Sequence, residues 1–260
     1  MTRRSFLPAA ASALAGAGAN AQEGQQPAIL EIGLAYLRNG ADNERQRVAD
    51  FWQHSVMPAL QRAGAGPVGV FTTSIGPGSP NMITLTSYAS LAAYGEVGAK
   101  LATDNEYVKR AAAFYSQPGR SFERAENSLL RAFRTMPAVA VPANDGKRPP
   151  KIFELRTYES DNFLTLRRKI KMFDDAEIAI FKRCGLLPIF FGQTIVGRNR
   201  PNLTYMVAYD DWASREKVWS KFGADPEWKK LRAQPELSDA AIVSNISNML
   251  LTPLPFSPIR

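Results

Sequence analysis

The chain repeats itself, and that property narrows its possible folds more than anything else in it. Asn81-Met82-Ile83-Thr84-Leu85-Thr86-Ser87-Tyr88 aligns with Asn202-Leu203-Thr204-Tyr205-Met206-Val207-Ala208-Tyr209, an offset of 121 (81 to 202). In the same frame Gly64 meets Gly185, Gly76 meets Gly197, Val97 meets Val218, Asp104 meets Asp225, Glu106 meets Glu227 and Tyr107 meets Trp228. Nearer the start, Ile29-Leu30-Glu31-Ile32 meets Ile152-Phe153-Glu154-Leu155 at an offset of 123 (29 to 152), so a small gap falls in the first helix region. A unit of roughly 110 residues used twice must bury its apolar faces within itself and then against its twin.

The second copy is legible element by element. Residues 151–159 alternate in polarity and are rich in β-branched and aromatic side chains, which predicts a strand. Phe163, Leu166, Ile170, Phe173, Ile180, Phe181 and Cys184 recur at helical spacing and predict one long helix, ended by Gly185. Residues 188–196 and 203–209 predict strands on either side of a turn at 197–201. Asp211 opens a second helix. Asp225-Pro226-Glu227 starts another, with a capping acid, proline at the first helical position and a carboxylate in the first turn. Residues 241–251 predict the closing strand. In the first copy the same order reads as a strand from Ile29, a helix through Val48, Trp52, Ala59 and Ala63, and strands near Val68 and Met82. A helix with Asp104 near its middle and a strand near Leu129 complete it.

The order β-α-β-β-α-β predicts an α+β fold in which each copy is a ferredoxin-like unit: an antiparallel sheet with both helices on one face. The other sheet face is left bare. Two copies in one chain supply the remedy if their sheets pack face to face as an intrachain α+β barrel. The expected boundaries are 27–138 for the first repeat and 151–260 for the second, with the proline-rich polar stretch 139–150 as a linker.

Phe153-Glu154-Leu155-Arg156-Thr157-Tyr158 resembles the opening strand of the NIPSNAP family, and Asp225-Pro226-Glu227-Trp228 resembles that family's helix before the last strand. The resemblance runs over nearly all of 28–253. The first copy departs from it: Gly33 and Ala35 stand where the second has Arg156 and Tyr158, and Asn105 and Tyr107 replace Pro226 and Trp228. The resemblance implies a fold of the dimeric α+β barrel superfamily and no particular reaction. Mitochondrial members are proposed scaffolds or membrane-associated adaptors, a setting that an exported chain leaves behind.

Export is what residues 1–26 predict. Arg3-Arg4-Ser5-Phe6-Leu7 resembles a twin-arginine motif, residues 9–19 are a weakly hydrophobic Ala/Gly stretch, and Ala19-Asn20-Ala21 fits a signal-peptidase site. The expected location is periplasmic or extracellular. The stretch is too short to span a bilayer, so no integral membrane segment is expected.

One cysteine, Cys184, excludes an intrachain disulfide, and one histidine, His54, removes multi-histidine metal centres and weighs against histidine-ligated haem. No metal and no cofactor is expected. The net charge of +8 falls to +6 without Arg3 and Arg4, and the basic residues are spread, so no nucleic-acid partner is expected. The densest run, Arg167-Arg168-Lys169-Ile170-Lys171, reads as a solvated helix face, and His54 falls opposite its helix's apolar stripe. Cys184 reads as a small core residue.

Strand alternation places Glu154, Arg156 and Tyr158 on one face, with Phe153 and Leu155 on the other. If the apolar face packs on the helices, the polar trio points into the inter-sheet space. There Arg156 could hold a carboxylate or enolate, Glu154 could act as a base and Tyr158 could donate a hydrogen bond; equally, the three form a structural ion pair capped by a tyrosine. Glu177 takes a stripe position held by Val56 in the first copy and either edges the stripe or reaches a pocket. Three functions fit: a non-catalytic module binding a small anion or a protein, a cofactor-free monooxygenase- or isomerase-like enzyme using the lumen, or a self-assembling structural protein. Homo-oligomerisation is compatible with each. The volume and lining of the space between the sheets separates them.

Overall fold

The computed structural model describes residues 26–40, 43–119, 121–143, 146 and 148–260. The export segment expected at 1–26 therefore lies, but for its last residue, outside the described residues. Among the described residues no helix is long and apolar enough to cross a membrane.

The first half runs β1 (Ile29–Tyr36), α1 (Glu44–Phe51), a π-helical turn (Trp52–Val56), α2 (Met57–Ala63), β2 (Val68–Ile75), β3 (Asn81–Tyr88), α3 (Leu91–Thr103), α4 (Asn105–Tyr115) and β4 (Arg124–Ala132). The second half repeats the order. It runs β5 (Ile152–Glu159), α5 (Phe163–Met172), a π-helical turn (Phe173–Glu177), α6 (Ile178–Cys184), β6 (Leu187–Val196), β7 (Asn202–Tyr209), α7 (Trp212–Ala224), α8 (Pro226–Arg232), the short α9 (Asp239–Ile242) and β8 (Asn245–Pro253). Asp104 sits between α3 and α4, not inside one helix, and its carboxylate caps α4 through the Tyr107 amide. Asp225 does the same for α8. Gly64 and Gly185 end the long helices with φ of 96° and 97°, a left-handed conformation that a side chain would strain.

Eight antiparallel strands close into one barrel in the order β1-β3-β2-β8-β5-β7-β6-β4. The halves are therefore joined by strand pairing, β2 to β8 and β4 to β6, rather than only by the stacking of two sheet faces. Closure removes the edges that two separate four-stranded sheets would expose.

The barrel interior is apolar and full. Leu30, Phe71, Ile83, Leu85 and Leu130 of the first half meet Phe153, Phe190, Met206 and Leu251 of the second in one buried cluster. The rings of Phe71 and Phe153 lie 5.0 Å apart across it. Phe153 and Leu155 thus face the lumen, and Glu154, Arg156 and Tyr158 face the helices, the reverse of the expected orientation. The reason is spatial. An eight-stranded barrel is just wide enough for its own side chains, so the strand face meeting the opposite half must be apolar. The wider gap beneath the helices holds long polar side chains whose ends can pair.

Candidate functional site

Each half has a layer between its sheet and its helices, and the two layers differ in what fills them. In the second half Glu154 is fully buried. Its carboxylate accepts hydrogen bonds from Arg215 Nε and Nη2 (2.8 and 3.0 Å), Arg156 Nη1 (2.6 Å), Tyr209 Oη (3.0 Å) and Asn248 Nδ2 (3.1 Å). Burial alone would raise its pKa; the Arg215 hydrogen bond, the Arg156 charge and the Asn248 amide outweigh burial and hold the group down at about 2. Arg156 also donates from Nη2 to Tyr158 Oη (3.2 Å) and lies 4.9 Å over the Trp219 ring. Tyr205 Oη donates to Tyr158 Oη (3.0 Å).

Beside this network Lys169 and Glu177 pair at 3.2 Å, with 1% and 2% of their side chains exposed. The Lys169 ammonium also lies over the rings of Tyr158, Phe173 and Trp228. Burial pushes the Glu177 carboxyl up, opposed by Lys169. Lys169 is therefore not on a solvated face as the basic run suggested, because the helix turns that one position of the run inward. His54 is exposed and Cys184 is buried, as their positions on the helices predict. The structure thus brings all four predicted residues, Glu154, Arg156, Tyr158 and Glu177, into one layer, already occupied by their own partners.

The first half keeps the acid and loses the filling. Strand register sets Glu31 between Thr86 and Leu129 as it sets Glu154 between Val207 and Leu250. Glu31 accepts from Tyr88 Oη (2.7 Å) and Asn127 Nδ2 (2.5 Å), the counterparts of Tyr209 and Asn248. Burial pushes the Tyr88 hydroxyl up, and the hydrogen bond and charge of Glu31 add to it. By strand register Gly33 replaces Arg156, Ala35 replaces Tyr158 and Thr84 replaces Tyr205. In the frame of 121, Val48 and Val56 stand for Lys169 and Glu177, Tyr94 for Arg215, and Gly98 for Trp219.

What remains is a pocket of about 490 Å3 between β1, β3 and β4 and the helices, walled by aromatic residues including Trp52, Tyr94 and Tyr107. That volume is in the range of small-molecule sites. Glu31 is the only charged side chain lining it among the described residues. A Cβ added at Gly98 would meet nothing within 4 Å, whereas one at Gly33 would collide with the Thr84 hydroxyl. Reading the second copy for polar residues missed this site. Its signal was the set of small residues facing large ones between the copies.

A closed antiparallel barrel of eight strands, with helices packed outside, defines the α+β barrel class. The solved structure of a "putative monooxygenase" from Lactobacillus acidophilus NCFM matches it with a TM-score of 0.57 at 12% identity, over 88% of this chain and 94% of that one. A second, from Fusobacterium nucleatum, gives 0.57 at 12%, over 88% and 93%. An uncharacterised NIPSNAP-like domain protein from Burkholderia xenovorans is 24% identical over 42% of this chain and 89% of its own, with a TM-score of 0.37. At these identities the first two likenesses show the fold alone. No curated protein sequence matches the chain. The NIPSNAP sequence profile matches residues 41–137 and again 153–258, and the chain belongs to the NIPSNAP family.

Proposed function

We propose that the chain is a small-molecule-binding protein of no catalytic activity, with its ligand site in the first-half pocket. The observation that carries this reading is the contrast between the two layers. One holds Arg156, Tyr158, Tyr205 and Trp219 packed around its buried glutamate; the other has Gly33, Ala35, Thr84 and Gly98 at those places and about 490 Å3 of space. Cofactor-free catalysis in the lumen loses its room, since apolar side chains from both halves fill the barrel. On this reading residues 27–138 and 151–260 are tandem ferredoxin-like copies joined by 139–150, one kept open and one shut. Residues 1–26 direct export by the twin-arginine route, so the ligand is met in the periplasm or outside the cell.

The test is a neutral apolar fluorophore, N-phenyl-1-naphthylamine, titrated into the protein. Saturable enhancement with one site per chain is expected. Gly98→Trp copies the plug of the second half and should abolish the signal with the melting temperature unchanged or raised. Saturable binding that survives in Gly98→Trp would place the ligand elsewhere and sink the reading.

A further inference from the structure

The second half shows what complements a glutamate in this position. Glu154 is met by two guanidinium groups, from Arg156 on its own strand and Arg215 on α7. The first of these lies over an indole ring. In the first half both cations are gone: Gly33 stands for Arg156 and Tyr94 for Arg215. Glu31 keeps its two neutral donors, Tyr88 and Asn127, and among the described residues no basic side chain pairs with it. Two donors leave lone pairs of a carboxylate unused, because each oxygen can accept more than one hydrogen bond. The void is lined by Gly33 and Gly98, the counterparts of Arg156 and Trp219 in the other half. Gly33 has no side chain to supply the cation, and the Thr84 hydroxyl stands where its Cβ would be.

From this we infer that the ligand of the first-half pocket is an organic cation, a protonated amine or guanidine on an aromatic or aliphatic body, whose charged group takes the place of the Arg156 guanidinium against Glu31. The inference rests on the pocket reading above and adds its chemistry. The body occupies the volume that Trp219, Tyr205 and Tyr158 fill in the other half, and it lies against the tyrosines and tryptophan of the wall. Those ring faces favour a positive charge: Tyr94 packs edge-on to Tyr88, with centroids 5.1 Å apart; Tyr88 donates to Glu31, and Tyr94 is near enough to feel its charge. A cation near aromatic faces gains from their quadrupoles as well as from the carboxylate. A carboxylate ligand would meet Glu31 with like charge and, among the described residues, no basic partner in the lining, which disfavours anions. This reverses the charge expected of a ligand held by Arg156.

The experiment is isothermal titration calorimetry of the full chain with three probes matched in shape: 4-phenylbutylammonium, 4-phenylbutanol and 4-phenylbutyrate. The ammonium should bind about tenfold tighter than the alcohol or better, and the butyrate weakest. Glu31→Gln keeps a polar group for Tyr88 and Asn127 and should bring the ammonium down to the affinity of the alcohol, leaving the alcohol within about twofold of its original value. Gly98→Trp should remove binding of all three. If ammonium and alcohol bind alike in both the unaltered protein and Glu31→Gln, while Gly98→Trp still removes them, the cation inference is wrong and the pocket stands. If the probes bind equally with and without Gly98→Trp, or none binds at all, the pocket reading falls and takes this inference with it.

Discussion

Gly98 on α3 and Trp219 on α7 hold corresponding places in the two halves, and the indole of Trp219 lies under the Arg156 guanidinium at 4.9 Å while the place beside Gly98 is open. This exchange is one of the four, with Gly33, Ala35 and Thr84 against Arg156, Tyr158 and Tyr205, that distinguish a sealed layer from an accessible one. The indole also packs edge-on against Phe181 and Phe222, at 5.6 and 5.7 Å.

Opening the sealed half should be costly. Trp219→Ala removes the aromatic contacts and uncovers a part-buried guanidinium, so the stability of the whole barrel should fall by about 3 kcal/mol, at the lower end for a core tryptophan because this one is only part-buried. Urea unfolding of the variant reads this directly. A loss below about 0.5 kcal/mol would mean that Trp219 is surface cover and not a plug.

Most of the fold was legible in the residues, and the orientation of the strands was not. The order of elements followed from alternation at 151–159, helical spacing from Phe163 to Cys184, and the stops at Gly64 and Gly185. The alternation of Phe153, Glu154, Leu155 and Arg156 separates two strand faces without saying which of them meets the other half. In a closed barrel both are buried: β3 and β7 are buried along their whole length. Polarity is then a poor guide to inside and outside, and the width of the barrel decides. The pocket had a sequence signal of a different kind. Gly33, Ala35, Thr84 and Gly98 are unremarkable alone and become informative only when set against Arg156, Tyr158, Tyr205 and Trp219. Lys169 was misread because a basic run gives no hint that one of its members turns inward to a buried acid.

Acid should weaken the fold through Glu154. Its folded pKa is depressed to about 2 from the ordinary 4.5, so the unfolded chain binds its proton first as pH falls. The stability this carboxylate contributes is present above about pH 4.5 and is lost as pH drops toward about 2. The shift corresponds to about 3 kcal/mol. Melting temperatures of the unaltered protein and Glu154→Gln, compared between pH 6 and pH 2, should converge as pH falls. Parallel curves across that window would show that Glu154 does not carry the acid sensitivity.

The lumen should behave as one core shared by the halves. Phe71→Ala and Phe153→Ala each remove a fully buried ring, at a cost of about 3–5 kcal/mol. Because the rings touch, the double variant should lose less than the sum of the two by about 0.5–1.5 kcal/mol. Strict additivity in a urea double-mutant cycle would mean that the halves do not couple through this contact.

The Lys169–Glu177 pair separates what an ion pair contributes from what its loss costs. Both side chains are almost fully buried, and the three rings around the ammonium cannot replace the carboxylate as its counter-charge. Lys169→Met keeps the length and volume of the side chain and removes the charge. It leaves Glu177 without its cation in a layer where burial already pushes its pKa up. The expected cost near neutral pH is about 3–5 kcal/mol, the usual penalty for breaking a buried pair on one side. It should shrink as pH is lowered and Glu177 takes up a proton. The sign follows from the raised folded pKa: protonation is easier in the folded chain than in the unfolded one, so acid favours the folded variant with respect to this group. Replacing both partners, Lys169→Leu with Glu177→Leu, copies the apolar choice that the first half makes at Val48 and Val56. That double variant should return to within about 1–2 kcal/mol of the original protein, since an apolar pair of similar volume needs no desolvation of charge. Urea midpoints for the three proteins at neutral pH decide the matter. If the double variant is as unstable as Lys169→Met alone, the pair supplies a net stabilisation that apolar packing does not match.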